Sequence, residues 1–373
     1  MAAVYFHIPF CRRACYYCDF HFSTGLKNMP AMTQAMLKEI VLRAAERTTP
    51  ASSVYFGGGT PSLLPTADIV NFLTQTDSTF GIDPQAEITL EANPEDLTPE
   101  KLQELKHAGI NRLSIGIQSF EEAHLQRMNR THSPQRAYQA VKQAQKIGFE
   151  NISIDLMYGL PQSSLSTWKQ DLQKALSLGV PHISAYCLTI EDRTVFGNWV
   201  KKGKIKPAEE ELAAQQFEVM AEILTAAGYE HYEISNFALP NYYSRHNTNY
   251  WKKGTYIGIG PSAHSYNGKE RSYNLAHNAH YIKAIQAGKR PATVEILSQR
   301  DHINEYLLTS LRTQWGCNIQ WLKQTYHYDL MASQGAYIQQ LLEQGYAIVR
   351  QQHLILTLKG KLLADSITLR LFL

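Results

Sequence analysis

Three cysteines fall within eight residues as Cys11-x3-Cys15-x2-Cys18, in a chain of 373 residues that holds only five. Thiolates bind soft metals, and this cluster supports two metal readings. Zinc would close its tetrahedron with a fourth donor, and His7 or His21 could supply it in a purely structural site. A [4Fe–4S] cluster held by three thiolates would instead leave one iron open to an outside ligand, which is a chemical arrangement rather than a structural one. A third reading makes them unrelated core cysteines, small hydrophobes with no ligand. Cys187 and Cys317 stand alone. Five cysteines in so long a chain build no disulfide framework, and this usage points to a reducing, cytoplasm-like compartment.

The thiols follow directly on an apolar, aromatic run, Val4-Tyr5-Phe6-His7-Ile8, which reads as a strand. They therefore sit on a loop at a strand's C-terminal end, where parallel α/β folds build their sites. Further strands are expected at 53–56, 87–90, 112–117, 152–156 and 182–186. Helical patterns lie near 31–47, 66–78, 99–108, 120–128, 134–147 and 165–178. Six βα units in a row imply a parallel sheet with outer helices, and periodicity leaves a barrel and a doubly wound sheet equally open. A long helix near 207–227 follows, with Leu212, Phe217, Met220 and Leu224 on its buried stripe.

After Gly228 the pattern changes. Residues 230–290 are rich in Tyr, Asn, His and Gly with little regular period, which predicts a long functional connection. From about 295 the chain reads as three helices, two short strands (346–350 and 353–357) and a final turn with an apolar end. That order is winged-helix-like α+β. The expected units are thus 1–229, 230–292 and 293–373.

Each later strand end adds polar chemistry. Gly57-Gly58-Gly59-Thr60-Pro61-Ser62 ends the second strand and reads on its own as a tight, capped turn. Glu91 ends the third strand before Pro94, Gln118 ends the fourth, and Asp155 lies in the fifth among apolar neighbours. A carboxylate so placed needs a partner, and Arg130 is the expected one for Asp155. Singly, each is a satisfied structural group; together, at successive strand ends, they describe a site.

Residues His7-Ile8-Pro9-Phe10-Cys11 through Cys18-Asp19-Phe20 resemble the loop of the radical S-adenosylmethionine superfamily, and within it the coproporphyrinogen oxidase-like branch. The resemblance runs over nearly the whole chain. It implies a partial (β/α)6 barrel with a C-terminal winged-helix-like domain, and a [4Fe–4S] cluster on Cys11, Cys15 and Cys18. The open iron would chelate the methionine part of S-adenosylmethionine. The same resemblance assigns cofactor contacts to Tyr5, Tyr17, Gly58, Gly59, Thr60, Glu91, Gln118, Arg130 and Asp155. Two outcomes lie within the branch. Oxygen-independent coproporphyrinogen oxidases have a longer N-terminal segment and an additional Cys two positions after the third cluster Cys; here that position is Phe20. The HemW-like heme chaperones carry an HNxxYW pattern, matched by His246-Asn247-Thr248-Asn249-Tyr250-Trp251.

An imidazole can ligate heme iron, and aromatic rings pack on porphyrin faces. The resemblance therefore gives His246, Asn247, Tyr250 and Trp251 a heme role, with His264 as an alternative axial ligand. Read from the residues alone, the segment is equally a surface loop that His246 caps and Trp251 anchors. The implied partners are heme and heme-accepting apoproteins, membrane-associated respiratory enzymes among them, with a homodimer left open. The competing outcome is radical decarboxylation of coproporphyrinogen III propionates.

Composition narrows the rest. With 44% hydrophobic and 18% charged residues the chain is a globular protein, and a net charge of +3 gives no case for nucleic acid or an anionic membrane. Residues 345–373 carry only Arg350, Lys359, Lys361 and Arg370 as bases, a poor phosphate footprint for a winged helix. No run approaches the ~18 apolar residues of a membrane span, and no secretory leader pattern opens the chain.

Overall fold

The first strand sets the logic of the whole sheet. In β1 (Ala2–Ile8), Val4, Phe6 and Ile8 are buried toward the outer helices, while Tyr5 and His7 point the other way. Phe6 stacks on Phe56 and packs against Phe72 of the second helix. The same alternation repeats in β2 (Ala51–Gly58), β3 (Ile82–Ala92), β4 (Arg112–Gln118), β5 (Asn151–Tyr158) and β6 (His182–Cys187). Neighbours in this series pair in parallel, in sequence order. Outward positions are Leu, Ile, Val and Phe; inward positions are Ser53, Tyr55, Glu87, Thr89, Glu91, Arg112, Ser114, Ser153, Asp155, His182 and Ser184. Closed (β/α)8 barrels fill their interior with branched apolar side chains. Here the apolar core lies between sheet and helices, and the interior of an open, partial barrel is polar.

This is a computed structural model, and it describes residues 2–373. The outer layer comprises α1 (Met29–Leu42), α2 (Thr66–Phe80), α3 (Pro99–His107), α4 (Glu122–Arg127), α5 (Pro134–Ile147) and α6 (Leu165–Leu178). Local chemistry sets their ends. Ser133 caps α5 through the Arg136 N–H with Pro134 at the first position, and Gly148 ends it in the left-handed region. Ser164 and Thr167 form a reciprocal capping box on α6, which Gly179 terminates in the same way. Beyond β6 come α7 (Val195–Lys201) and α8 (Glu210–Ala226), with Phe217, Met220 and Leu224 buried as the stripe predicts.

The segment expected to lack regular structure is largely regular. It forms β7 (Glu230–Glu233), β8 (Asn236–Ala238), α9 (Arg245–Trp251), β9 (Thr255–Ile259), β10 (His264–Tyr266), β11 (Glu270–Asn274), α10 (Asn278–Gln286) and β12 (Ala292–Ile296). These strands run three to five residues, too short for a period to stand out. They extend both edges of the barrel: β8 lies antiparallel on β6, and β9 lies parallel on β1. The sheet order is β12-β11-β10-β9-β1-β2-β3-β4-β5-β6-β8-β7. A buried ionic latch fastens β9–β11 to α1. Arg43 donates to the Gly258 carbonyl (2.6 Å) and to Ser265 (3.0 Å), and Glu39 accepts from the Gly260 N–H (2.9 Å) and Asn274 (2.8 Å).

The C-terminal module has its own core, centred on Leu307, Leu311, Leu322, Leu330, Ile338, Leu341 and Leu354. It contains α11 (Gln299–Ser310), β13 (Cys317–Asn318), α12 (Ile319–Tyr326), α13 (Leu330–Glu343), β14 (Ala347–Arg350) and β15 (His353–Leu356). The apolar end of the chain is α14 (Leu358–Lys361) and α15 (Ala364–Leu371), whose Ile367 and Leu371 close that core. Arg312 holds Glu233 at 3.0 Å, and Lys361 donates to the His231 carbonyl at 3.0 Å, joining module to sheet. One of the four bases of the winged-helix end is therefore buried. Among the described residues no helix is long and apolar enough to cross a membrane.

Candidate functional site

A cavity of about 610 Å³ opens at the C-terminal ends of the parallel strands. Cys11, Cys15, Cys18, Tyr17, Gly58, Gly59, Thr60, Glu91, Gln118, Arg130 and Asp155 all line it. The structure thus brings the three thiols and eight of the nine residues matched to cofactor contacts into one space. The ninth, Tyr5, lies in the barrel interior, with its hydroxyl 3.2 Å from His7 Nδ1 and its ring stacked on Tyr55.

Backbone bonds hold the cysteine loop. Cys11 N–H donates to the Ser23 carbonyl (3.0 Å), Ser23 N–H to Pro9 (2.9 Å), and Tyr16 N–H to Met128 (3.2 Å). Beneath the loop, Tyr16 meets Trp199 edge-on at 5.0 Å, and Leu125, Met128, Met157, Leu160 and Phe196 form a small satellite core. Thr60 Oγ1 stands 3.4 Å from Cys11 Sγ, and Arg130 Nη1 stands 3.5 Å from Cys15 Sγ. Burial pushes the Cys11 thiol up, and the Cys18 thiol to about 11, so ligation would have to drive off protons these sites otherwise retain.

The glycine stretch answers to close approach. A Cβ on Gly59 would stand 2.6 Å from the Phe10 carbonyl, and Gly58 has φ +105° with the His7 ring 2.8 Å from where its Cβ would be. Gln118 adopts φ 71° where β4 loses register with β5, a conformation that costs a non-glycine residue on the order of 1 kcal/mol.

Arg130 does not pair with Asp155 as expected. Its Nη2 donates to Asn93 Oδ1 (2.7 Å) and to the Gly116 carbonyl (2.6 Å), while its Nε is buried with no partner. The loop after α4 carries Arg130 toward the thiols, so its charge is used there. Asp155 instead accepts from Ser114 Oγ at 3.3 Å. Burial raises Asp155 to about 6, against the pull of Arg112, and raises Glu91 to about 7 despite a 2.7 Å hydrogen bond from Tyr55. Asn93, Ser114, Tyr55 and Arg112 were missed in the sequence. For Ser114, Tyr55 and Arg112 the one signal is a polar or hydroxyl-bearing side chain at alternate positions of otherwise apolar strands, while Asn93 stands just past the end of β3.

His7 and His21, the candidate fourth ligands for zinc, are engaged elsewhere. His7 Nε2 meets the His21 carbonyl (2.8 Å), and His21 Nε2 meets Asn278 (2.8 Å). Among the described residues no three His, Cys, Asp or Glu side chains stand close enough to share a single metal ion. Three thiols on one wall, with hydrogen-bond donors to two of the sulfurs and open volume beside them, fit a multi-iron cluster instead.

The HNxxYW residues lie at the opposite end of the barrel. His246 is 1% exposed, its Nδ1 is 3.0 Å from Ser53 Oγ, and its Nε2 is 2.8 Å from the Tyr250 hydroxyl. Both ring nitrogens are taken, and burial lowers its pKa to about 3. Asn247 N–H is capped by Ser244 at 3.3 Å, and Trp251 lies 5.7 Å below the Arg312 guanidinium. These four residues lie on α9, which closes the N-terminal ends of β2 and β3, and not on a surface loop. His264, by contrast, is exposed, and among the described residues its ring nitrogens have no hydrogen-bond partner.

Comparison with known proteins places this architecture. The Radical SAM superfamily model matches residues 5–175, and the HemN C-terminal domain model matches 297–363. The heme chaperone HemW of Lactococcus lactis is 36% identical over 98% of this chain and 96% of its own length. That of Bacillus subtilis is 34% identical over 98% of each chain. The structure of coproporphyrinogen III oxidase from Escherichia coli superposes with a TM-score of 0.84 at 24% identity, covering 100% of this chain and 90% of that one, which is a likeness of fold. By sequence, the chain belongs to the HemW branch of the radical SAM superfamily.

Proposed function

We propose that this chain is a heme chaperone: it binds heme and hands it to an acceptor apoprotein, respiratory enzymes at the membrane among them, from the cytoplasm. Cys11, Cys15 and Cys18 hold the cluster, and the mouth cavity holds S-adenosylmethionine. When bound, a three-cysteine [4Fe–4S] cluster supplies an open iron that chelates the cofactor's amino and carboxylate groups. The chain's own residues orient it: Arg130 faces the thiols and Asn93, Gly58 and Gly59 keep side chains out of the approach, and Glu91 and Asp155 offer acceptors to its hydroxyls and ammonium.

The observation that carries a chaperone over a decarboxylase is Phe20. It is 72% exposed at the position where the oxidases carry their additional cysteine. For heme, the open imidazole is His264. Partial shielding of its ring from water and the nearby Arg271 lower its pKa, which favours the neutral form that ligates iron.

The test is an anaerobic hemin titration of reconstituted protein, followed by absorption, with coproporphyrinogen III assayed in parallel. A stoichiometric heme spectrum that weakens in His264→Ala, with no porphyrinogen consumed, is the expected result. Porphyrinogen turnover without heme binding would replace this reading with the enzymatic one.

A further inference from the structure

We propose that the His246 segment is a positioning device: through Tyr55, His246 holds Glu91 in the orientation that the cofactor requires, and it does not ligate heme. The inference rests on the reading of the mouth cavity as the S-adenosylmethionine site.

A single column of contacts runs from floor to mouth. At its base, the Arg245 and His246 N–H groups at the start of α9 donate to the Glu87 carboxylate (3.2 and 3.1 Å), which sets the depth of the segment in the barrel. Ser53 and Tyr250 then fix the His246 ring from its two nitrogens. Hydroxyls donate or accept, so both bonds are satisfied by a neutral imidazole. The ring lies 4.8 Å from the Tyr55 ring at 26°, a stacked pair, and Tyr5 flanks both. Tyr55 carries the column upward by donating from its hydroxyl to Glu91 Oε1 at 2.7 Å. Glu91 lines the cavity.

The glycine stretch supplies an independent observation. A Cβ on Gly57 would meet the Tyr5 and Tyr55 rings at 2.9 Å and Glu91 Oε1 at 3.1 Å. Gly57 is therefore needed for the ring and carboxylate to stand where they do, whereas Gly58 makes room for the His7 ring and Gly59 for the Phe10 backbone that leads into the cysteine loop. A half-buried carboxylate with a fixed donor on one oxygen presents the other in one direction, and such preorganisation is what a binding site requires. For His246 to reach heme iron, α9 would have to leave the floor and break its two bonds to Glu87 and its bond to Ser53 at once.

The experiment uses full-length, cluster-loaded protein. The equilibrium affinity for S-adenosylmethionine is measured by anaerobic calorimetry, with iron content and hemin titration followed on the same samples. Glu91→Gln, Tyr55→Phe, His246→Ala and the Tyr55→Phe/His246→Ala double variant are compared. Tyr55→Phe keeps the stack and removes only the hydroxyl; its affinity falls about tenfold, the scale of a hydrogen bond to a charged group. His246→Ala falls by a similar factor, and the double variant is no worse than either single one, because both act through the same carboxylate. Iron content and hemin binding are unchanged.

Loss of hemin binding in His246→Ala with cofactor affinity intact would overturn the inference. An intact affinity in Glu91→Gln would overturn it from the other side, by removing the cofactor reading beneath it. Should His246→Ala fail to fold, His246→Gln takes its place, and Tyr55→Phe with unchanged affinity would still refute the column.

Discussion

The floor and the mouth of the barrel are built from the same six strands and the same kinds of side chain, yet they use them differently. At the floor, polar groups bond to one another: His246 to Ser53 and Tyr250, His182 to Ser153 and Tyr232, Glu87 to the start of α9. At the mouth, thiols, two carboxylates and an arginine face open volume, and Arg130 Nε is buried without a partner. Polar content alone does not mark a site, since both ends have it. Unpartnered polar atoms do not separate them either, since Arg112 Nε and Trp251 Nε1 are buried without a hydrogen-bond partner at the floor; the open cavity beside its polar groups is what marks the mouth. Arg112 belongs to both ends. It is 1% exposed at the floor, 3.9 Å from Glu87, and its field lowers both mouth acids.

The hardest way to break this contrast is to empty the mouth of its thiols. Any one of Cys11→Ala, Cys15→Ala or Cys18→Ala should abolish stable iron loading, read as iron and sulfide content after anaerobic reconstitution. The fold should survive, because none of the three is fully buried. A variant that loads a full complement of iron would mean that the cluster sits elsewhere.

Emptying the floor should do the reverse. Arg112→Met leaves Glu87 buried without its cation, and removing one member of a buried pair costs about 3 kcal/mol or more. Urea unfolding of the apoprotein should show that loss, and the corresponding loss in Arg130→Met should be smaller. Equal losses at the two ends would erase the distinction between them.

Why one end was legible in the sequence and the other was not follows from locality. The cysteine spacing, the glycine stretch and the strand-end acids are each written within a few residues of a strand that period-2 alternation reveals. The floor depends on α9 inserting beneath β2 and β3, some 160 residues away in the chain, and local pattern says nothing of such a contact. Hence His246 read as a loop imidazole while it is a core one. Tyr55 and Arg112 were hidden for a different reason. A single hydroxyl or guanidinium in an apolar strand looks like an exception until the alternation in all six strands is laid side by side. Arg130 was found but given the wrong neighbour, because the loop after α4 turns it toward the thiols. The short strands at 230–296 lacked the length to show any period.

Titration sharpens the contrast next. Glu91 rises to about 7 and Asp155 to about 6 in the folded apoprotein, both through burial, from ordinary carboxylate values in the unfolded chain. Between pH ~4 and ~7 these two groups therefore hold more protons in the folded state than in the unfolded one, and their contribution to stability falls as pH rises. Comparison of Glu91→Gln with the parent protein isolates the acid: in urea unfolding the difference in stability between them should move in the variant's favour from pH 5 to pH 8, as the parent's carboxyl is forced to ionise. Buried imidazoles act in the opposite sense in this window: His246 and His231, lowered to about 3, and His7, lowered to about 4, stay neutral in the folded chain while the unfolded chain takes up protons there below pH ~6.5, so their contribution to stability rises with pH. A slope unchanged in Glu91→Gln would mean that the mouth acid is not the strained group.

The smallest effect belongs at the rim, on Phe20. Its ring is 72% exposed, so little apolar contact is lost with it, and surface substitutions of this kind change stability by no more than about 0.5 kcal/mol. Phe20→Cys restores the thiol that the oxidases carry two positions after the third cluster cysteine. Iron content, cofactor affinity and unfolding midpoint should all stay within error of the parent protein. If the difference between chaperone and oxidase lay in that one thiol, the variant would consume coproporphyrinogen III anaerobically. The expected result is no turnover, since a substrate acid must also be seated over the cofactor, and that seat involves the whole rim rather than a single side chain.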